Sequence, residues 1–439
     1  MITIQRIFVF IILIQISFSV QAQRKKRDKT EYVQSPKQEL IYDDKNYIQQ
    51  VQTVLFYPNN KENELPVYIL NDKNPLFVSF DDLRADIRNL YYSIQHCNAD
   101  WSPSTVSVLD YAEGYNEDRI VDYKPSQGTL IPYTNYTFTF PNEYVSPKIA
   151  GNYLLKVYED ADKSRLLLTR KFYVVRPLAQ IGAEITNSSF AEKRRTNQKM
   201  NVVIQSGLTI SNPHRDIQVH VMQNQRPDNL KILQKPMFIG SNEIKYNLAE
   251  TLDFEAGNEF RYVDLRSFKG GSGQTKDILV DSMTSVYLYP DEAKSTQSYA
   301  SVHDENGRFY IRNLDYNDAA THSDYANVHF SLTAPSEVKG AIYVVGSFNN
   351  YQRTNLNRLI YNPDTNLWEA KLLLKQGLYD YEYIIENEEG KLYPTAFSGS
   401  HWETGNDYQI IVYYRRTGTY WDEILGFKTI SINNKENKN

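Results

Sequence analysis

Beyond about residue 40, no stretch of this chain spaces its apolar residues helically for more than three turns; short β-branched and aromatic runs recur instead. "VQTVLFYP" (51–58), "PLFVSFDDL" (75–83), "IRNLYYSIQHC" (87–97), "YTFTFPNE" (136–143), "GNYLLKVYED" (151–160) and "LLLTRKFYVV" (166–175) are each bounded by Pro, Asn, Asp or Gly. The polar "DADKSR" (160–165) joins the last two at hairpin length. In "DIQVHVMQN" (216–224), Ile217, Val219 and Val221 alternate with Gln218 and His220, as in a strand buried on one side. A chain of 439 residues exceeds what one core usually serves. The pattern predicts an all-β chain of tandem β-sandwiches, Ig-like in kind, over residues 40–175, 176–325 and 326–428.

The ends read differently. Arg6, the apolar "IFVFIILIQISF" (7–18) and the short "VQA" (20–22) predict a cleaved signal peptide over 1–22, cut between Ala22 and Gln23. Its apolar run is short for a membrane span, and no later run approaches that length, so the mature chain is expected to hold no integral membrane segment. Residues 23–39, with "RKKRDK" at 24–29, read as a basic flexible leader, and 429–439 as a polar tail. Removing residues 1–22 takes away one basic residue and no acid, so the mature chain is slightly more acidic than the −5 of the full chain. That balance argues against a nucleic-acid partner.

Chemistry is sparse. Cys97 is the sole cysteine, which excludes an intrachain disulfide. In a strand, His96 and Cys97 point to opposite faces and cannot pair as base and nucleophile, so Cys97 reads as a small buried hydrophobe. The seven histidines show no metal-binding spacing, and "GGSG" lacks the Lys and helix of a phosphate loop. No metal, cofactor or catalytic residue is expected, and the chain is not read as an enzyme. Tyrosine is the compositional outlier, 35 residues against 19 Phe and 4 Trp, and suits half-exposed strand surface. Tyr91, Trp101, Tyr111 and Tyr115 cluster around a long, turn-rich segment and are the candidate partner-binding aromatics.

Two stretches carry family resemblances. Gly346-Ser347-Phe348-Asn349-Asn350-Tyr351, then Trp368, then "GLYDYEY" (377–383), resemble an early-set sandwich of the glycogen-binding type. That likeness implies a sugar platform of Tyr351 and Trp368. The module's sugar-contacting lysine falls at Glu382, however, and "EEGKLYP" (388–394) lacks its later tryptophan. "YYSIQHCNADWSPS" (91–104), "GYNEDRIVDYKPSQGTLIPYTNYTFTFPNE" (114–143) and "GNYLLKVYED" (151–160) resemble the plug proteins of the Bacteroidota type IX secretion system. The resemblance implies an exported, non-enzymatic protein in the periplasm, peripheral at the inner side of the outer membrane. There it would act as a monomer within a hetero-complex, sealing the translocon barrel when that barrel is idle. The alternative is a periplasmic glycan-binding accessory protein using the early-set domain.

Overall fold

The computed structural model describes residues 33–432; the signal peptide, the cleavage pair Ala22 and Gln23, the "RKKRDK" stretch and residues 433–439 lie outside the described residues. Among the described residues the regular structure is almost all β-strand, and each of the three α-helices is four residues long. The expected all-β tandem-sandwich class is therefore the observed one.

The first sandwich packs the sheet of strands Val51–Pro58, Leu76–Asp82, Thr134–Phe140 and Asp122–Pro125 against strands Leu90–Cys97, Gly151–Glu159 and Leu166–Val175. Val78, Phe80, Tyr136 and Phe140 from one side meet Tyr153, Leu155, Val157 and Phe172 from the other. Alternate residues of each strand supply them, as the period of two requires. Asp160 and Ala161, both at positive φ, close the predicted 160–165 hairpin.

The second sandwich packs Ala179–Asn187, Asn197–Ser206, Glu243–Tyr246 and Phe238–Ile239 on a sheet that contains Ile217–Gln223 and Lys231–Leu233. Its remaining strands arrive from the far end of the chain. The hairpin Asn406–Tyr414/Glu423–Ile432 lies beside Ile217–Gln223 and supplies Tyr408, Ile410, Val412 and Leu425 to that core. The third sandwich, around Val263, Val286, Val328, Ile342 and Tyr381, is formed by the chain between those two parts.

The divisions expected at 175/176, 325/326 and 428/429 thus cut across the strand pairing. The C-terminal hairpin completes the second sandwich, and its last strand runs to Ile432, four residues into the expected polar tail. Val175 also pairs in parallel with Ile424, so strands of the first sandwich and of the hairpin share one ten-stranded sheet. Local sequence reports where strands are; which strand satisfies an open edge is a long-range matter.

The tyrosine surplus is also placed differently from the half-exposed surface expected. Tyr92, Tyr133, Tyr136, Tyr153, Tyr158, Tyr246, Tyr325, Tyr383, Tyr408 and Tyr413 are fully buried. Most of their hydroxyls reach polar partners: Tyr413 donates to Asn152 (2.8 Å), Tyr408 to Gln198 (2.7 Å) and Tyr383 to Asp291 (2.8 Å). A buried ring with a satisfied hydroxyl supplies apolar area without an orphaned dipole.

Candidate partner-binding surface

The "HCNADW" stretch ends the strand Leu90–Cys97 and turns back at once. Trp101 donates its N–H to the Asn98 carbonyl (2.9 Å) and takes φ +68°. Cys97 is fully buried, its Sγ directed at the Gln95 carbonyl (3.7 Å), and burial pushes its thiol up to about 12. A thiol so held is no nucleophile near neutral pH. His96 is also buried; its Nδ1 lies 2.9 Å from Ser104 Oγ and its ring stands edge-on to Tyr153. Burial pulls its pKa down to about 4, against a smaller upward pull from the Ala150 carbonyl and Asp422.

What this stretch does is hold parts of the chain together. Ala99 donates its N–H to Asp422, 323 positions away (2.9 Å), and Asp422 also binds Arg415 (2.7 Å). Asn152 donates to the Asn98 carbonyl (3.0 Å) while accepting from Tyr413. Trp101 lies edge-on to Tyr173 (5.4 Å) beneath the Lys171 ammonium (4.9 Å). Ala99, Tyr173, Val175, Met222, Ile411, Tyr413 and Ile424 form the small core of this joint.

The four aromatics expected to meet a partner therefore separate. Trp101 is half-buried in the joint. Tyr111 is buried in the first core, and Tyr91 is half-buried on Tyr158 (6.4 Å). Only Tyr115 presents its ring to solvent, 67% exposed. It stacks on exposed Tyr144 (6.2 Å), a residue that sequence reasoning missed. The ribbon Ala112–Gly114/Val145–Pro147 aligns the two, and Gly114, at φ +85°, lets the chains approach where any side chain would strike the Tyr144 carbonyl. Exposed Leu109 precedes the ribbon, and Lys148, which donates to the Leu109 carbonyl (2.9 Å), follows it. Exposed Val121 and Tyr123 lie on and beside the edge strand Asp122–Pro125.

The glycan platform is not assembled. Tyr351 is 2% exposed with the Arg226 guanidinium 4.6 Å above its ring, because Asn350 and Tyr351, both at positive φ, turn the chain inward. Trp368 is half-buried and donates to the Pro335 carbonyl (3.0 Å). Glu382, at the sugar-lysine position, is ion-paired with Arg226, which also binds Asp228 (2.8 Å). Burial works against the charge on Arg226, and the two carboxylates more than restore it.

Buried ionic contacts cross between the sandwiches elsewhere too. Lys375 Nζ lies 2.7 Å from Asp81 Oδ2, both side chains essentially inaccessible. Tyr325 donates to the same carboxylate (2.6 Å), and the Lys375 ammonium sits 4.1 Å from the Tyr133 ring centroid. Arg308 pairs with Asp407 (2.7 Å), and the more exposed Arg312 pairs with Glu62 (2.5 Å).

Residues 51–176, which hold the Tyr115–Tyr144 ribbon and the "HCNADW" turn, match the type 9 secretion system plug protein 1st domain. The chain carries a type IX secretion plug domain. That family is one of a secretion system and not of enzymes, which associates the chain with type IX secretion. The chain is also similar to a hypothetical protein from Parabacteroides merdae ATCC 43184, solved at 2.30 Å. The two are 29% identical over 90% of this chain and 100% of that one, with a TM-score of 0.86. Two other solved structures are too unlike it to bear on the argument. Dimeric latent PorU from Porphyromonas gingivalis is 10% identical over 87% of this chain and 34% of that one, TM-score 0.15. Trypsin-activated alpha-2-macroglobulin from Escherichia coli is 10% identical over 91% and 30%, TM-score 0.18. No curated protein matches. Among the described residues, no helix is long and apolar enough to cross a membrane.

Proposed function

We propose that this protein is a non-enzymatic periplasmic plug, exported by the signal over residues 1–22, that seals the inner opening of the type IX translocon barrel when no substrate passes. The observation that carries the reading is mechanical. The type IX plug domain at 51–176 is tied by a common sheet and the Asp81–Lys375 pair to the rest of the chain. An obstruction must resist deformation, and neither a shared sheet nor a buried ion pair yields without exposing unsatisfied backbone or charge. A globular body of ~400 residues has a radius of gyration of about 21 Å, a size suited to covering a wide pore.

Grip is assigned to the Leu109, Tyr115 and Tyr144 surface, where rigid aromatic rings offer contact area at small entropic cost. The test is affinity purification from solubilised outer membrane. Wild-type protein is expected to bring down a very large barrel in stoichiometric amount, and the Leu109→Ser/Tyr115→Ser/Tyr144→Ser variant to lose it while unfolding at the wild-type temperature. Deleting the protein is expected to admit large antibiotics only in cells that possess the translocon. Unchanged resistance in those cells refutes the seal.

A further inference from the structure

The turn Asp304-Glu305-Asn306-Gly307 wraps around the carboxylate of Asp380, a residue of the long strand Gly377–Glu386. Asp380 is 1% exposed. Its Oδ2 accepts from the N–H groups of Glu305 (2.6 Å) and Gly307 (3.2 Å), while its Oδ1 is buried with no partner. Two more oxygens of this neighbourhood are buried and unpartnered, Asn306 Oδ1 and the Tyr351 hydroxyl. Gly307, at φ +81°, leaves vacant the place of its own Cβ, and the Tyr351 hydroxyl occupies it. Asp304, on the same turn, accepts from the N–H groups of Phe260 (2.5 Å) and Asn306 (3.3 Å).

The Arg226 guanidinium over the Tyr351 ring is engaged by Glu382 and Asp228. Neither Asp304 nor Asp380 is ion-paired with a basic side chain among the described residues; Arg308, on the same turn, engages Asp407 and Glu64. Buried carboxylates are normally paired or bound to a metal, and an unpartnered buried polar atom is costly.

We propose that this turn binds one Ca2+ ion through Asp380 Oδ1, Asn306 Oδ1 and the Asp304 carboxylate, with the Tyr351 hydroxyl beside it. The donors are all oxygen, which selects a hard cation over zinc or copper. An irregular turn offering a carboxylate, an amide oxygen and a second carboxylate suits the loose geometry of Ca2+ better than the strict octahedron of Mg2+. Among the described residues no group of three or more His, Cys, Asp or Glu side chains could hold a metal, so the donor set here is necessarily mixed. Bound there, the ion would join the 304–307 turn to Tyr351 and so stiffen the third sandwich. The inference does not depend on the plug reading.

The experiment uses the full mature chain, stripped with EDTA and then titrated with CaCl2 or MgCl2. Millimolar Ca2+ is expected to raise the unfolding midpoint by about 2–4 °C, and Mg2+ to do much less. Tb3+ added in place of Ca2+ is expected to luminesce on tyrosine excitation, to be displaced by Ca2+, and to lose most of that emission in Tyr351→Phe. Asp380→Asn is expected to unfold at or above the metal-free wild-type temperature and to show no Ca2+ response. Asn306→Ala, a milder change, is expected to weaken Ca2+ binding at least tenfold. A wild-type midpoint unmoved by Ca2+, or a Ca2+ shift of equal size in Asp380→Asn and Asn306→Ala, overturns the site.

Discussion

Replacing Asp81 by Asn tests whether the first and third sandwiches are locked by charge. The change keeps the shape of the side chain and strands the Lys375 ammonium in a place where 1% of its side chain is exposed. Burial already pulls the pKa of Lys375 below its ordinary value, and the Asp81 carboxylate is the chief opposing influence. At 2.7 Å the pair attracts with a gross energy of ~6 kcal/mol at an effective dielectric of 20. Desolvation of both ions consumes most of this, so the net value of the pair is far smaller than the cost of breaking it. Asp81→Asn is therefore expected to destabilise by about 3–5 kcal/mol. Lys375→Met is expected to cost less, because Asp81 keeps the donors Tyr325 and Asn135. The double variant should recover at least ~2 kcal/mol of the summed loss. Urea unfolding of the four proteins at pH 7.5, followed by intrinsic fluorescence and by proteolysis at the 126–132 loop, measures all three numbers. Single losses below ~1 kcal/mol that add without interaction would refute the lock.

Acid should loosen the joint. His96 and His220 are each held near 4 by burial, against ~6.5 unfolded. A histidine with a depressed folded pKa is neutral in both states above ~6.5 and costs stability as the pH falls toward the folded value, here about 2 kcal/mol each at pH 5. The difference in unfolding free energy between wild type and His220→Gln should accordingly change by that amount between pH 7.5 and pH 5; a constant difference contradicts it. Cys97 is expected to resist aromatic disulfide reagents at pH 8 until the chain unfolds, and rapid stoichiometric labelling of native protein would disprove its burial. Gly151→Ala, where φ is +150° and the new methyl would strike the His96 ring and the Asp422 carbonyl, is expected to cost at least ~2 kcal/mol by urea unfolding.

The sequence announced its strands well and its exposed aromatic surface poorly. The runs at 51–58, 90–97, 151–159 and 166–175 were legible because alternation and bounding turn residues are local. Tyr115 was legible as an aromatic in a turn-rich stretch, yet Trp101 and Tyr111, chosen on the same ground, are packed inward. Composition does not say which side of a turn faces the core. Tyr144 was missed because only the ribbon register sets it against Tyr115. Tyr351 was placed on the surface by analogy, and two residues at positive φ bury it.

By itself the sequence determined that this chain makes short strands without a disulfide, that its thiol is inert, and that its 91–160 text resembles type IX plug proteins. Each of these depends on residues close in the chain. Only the tertiary structure decided that the hairpin Asn406–Tyr414/Glu423–Ile432 completes the second sandwich, that "HCNADW" answers to Asp422, and that Asp81 meets Lys375. Those contacts join residues hundreds of positions apart, and the burial that makes them decisive exists only once the chain has closed on itself.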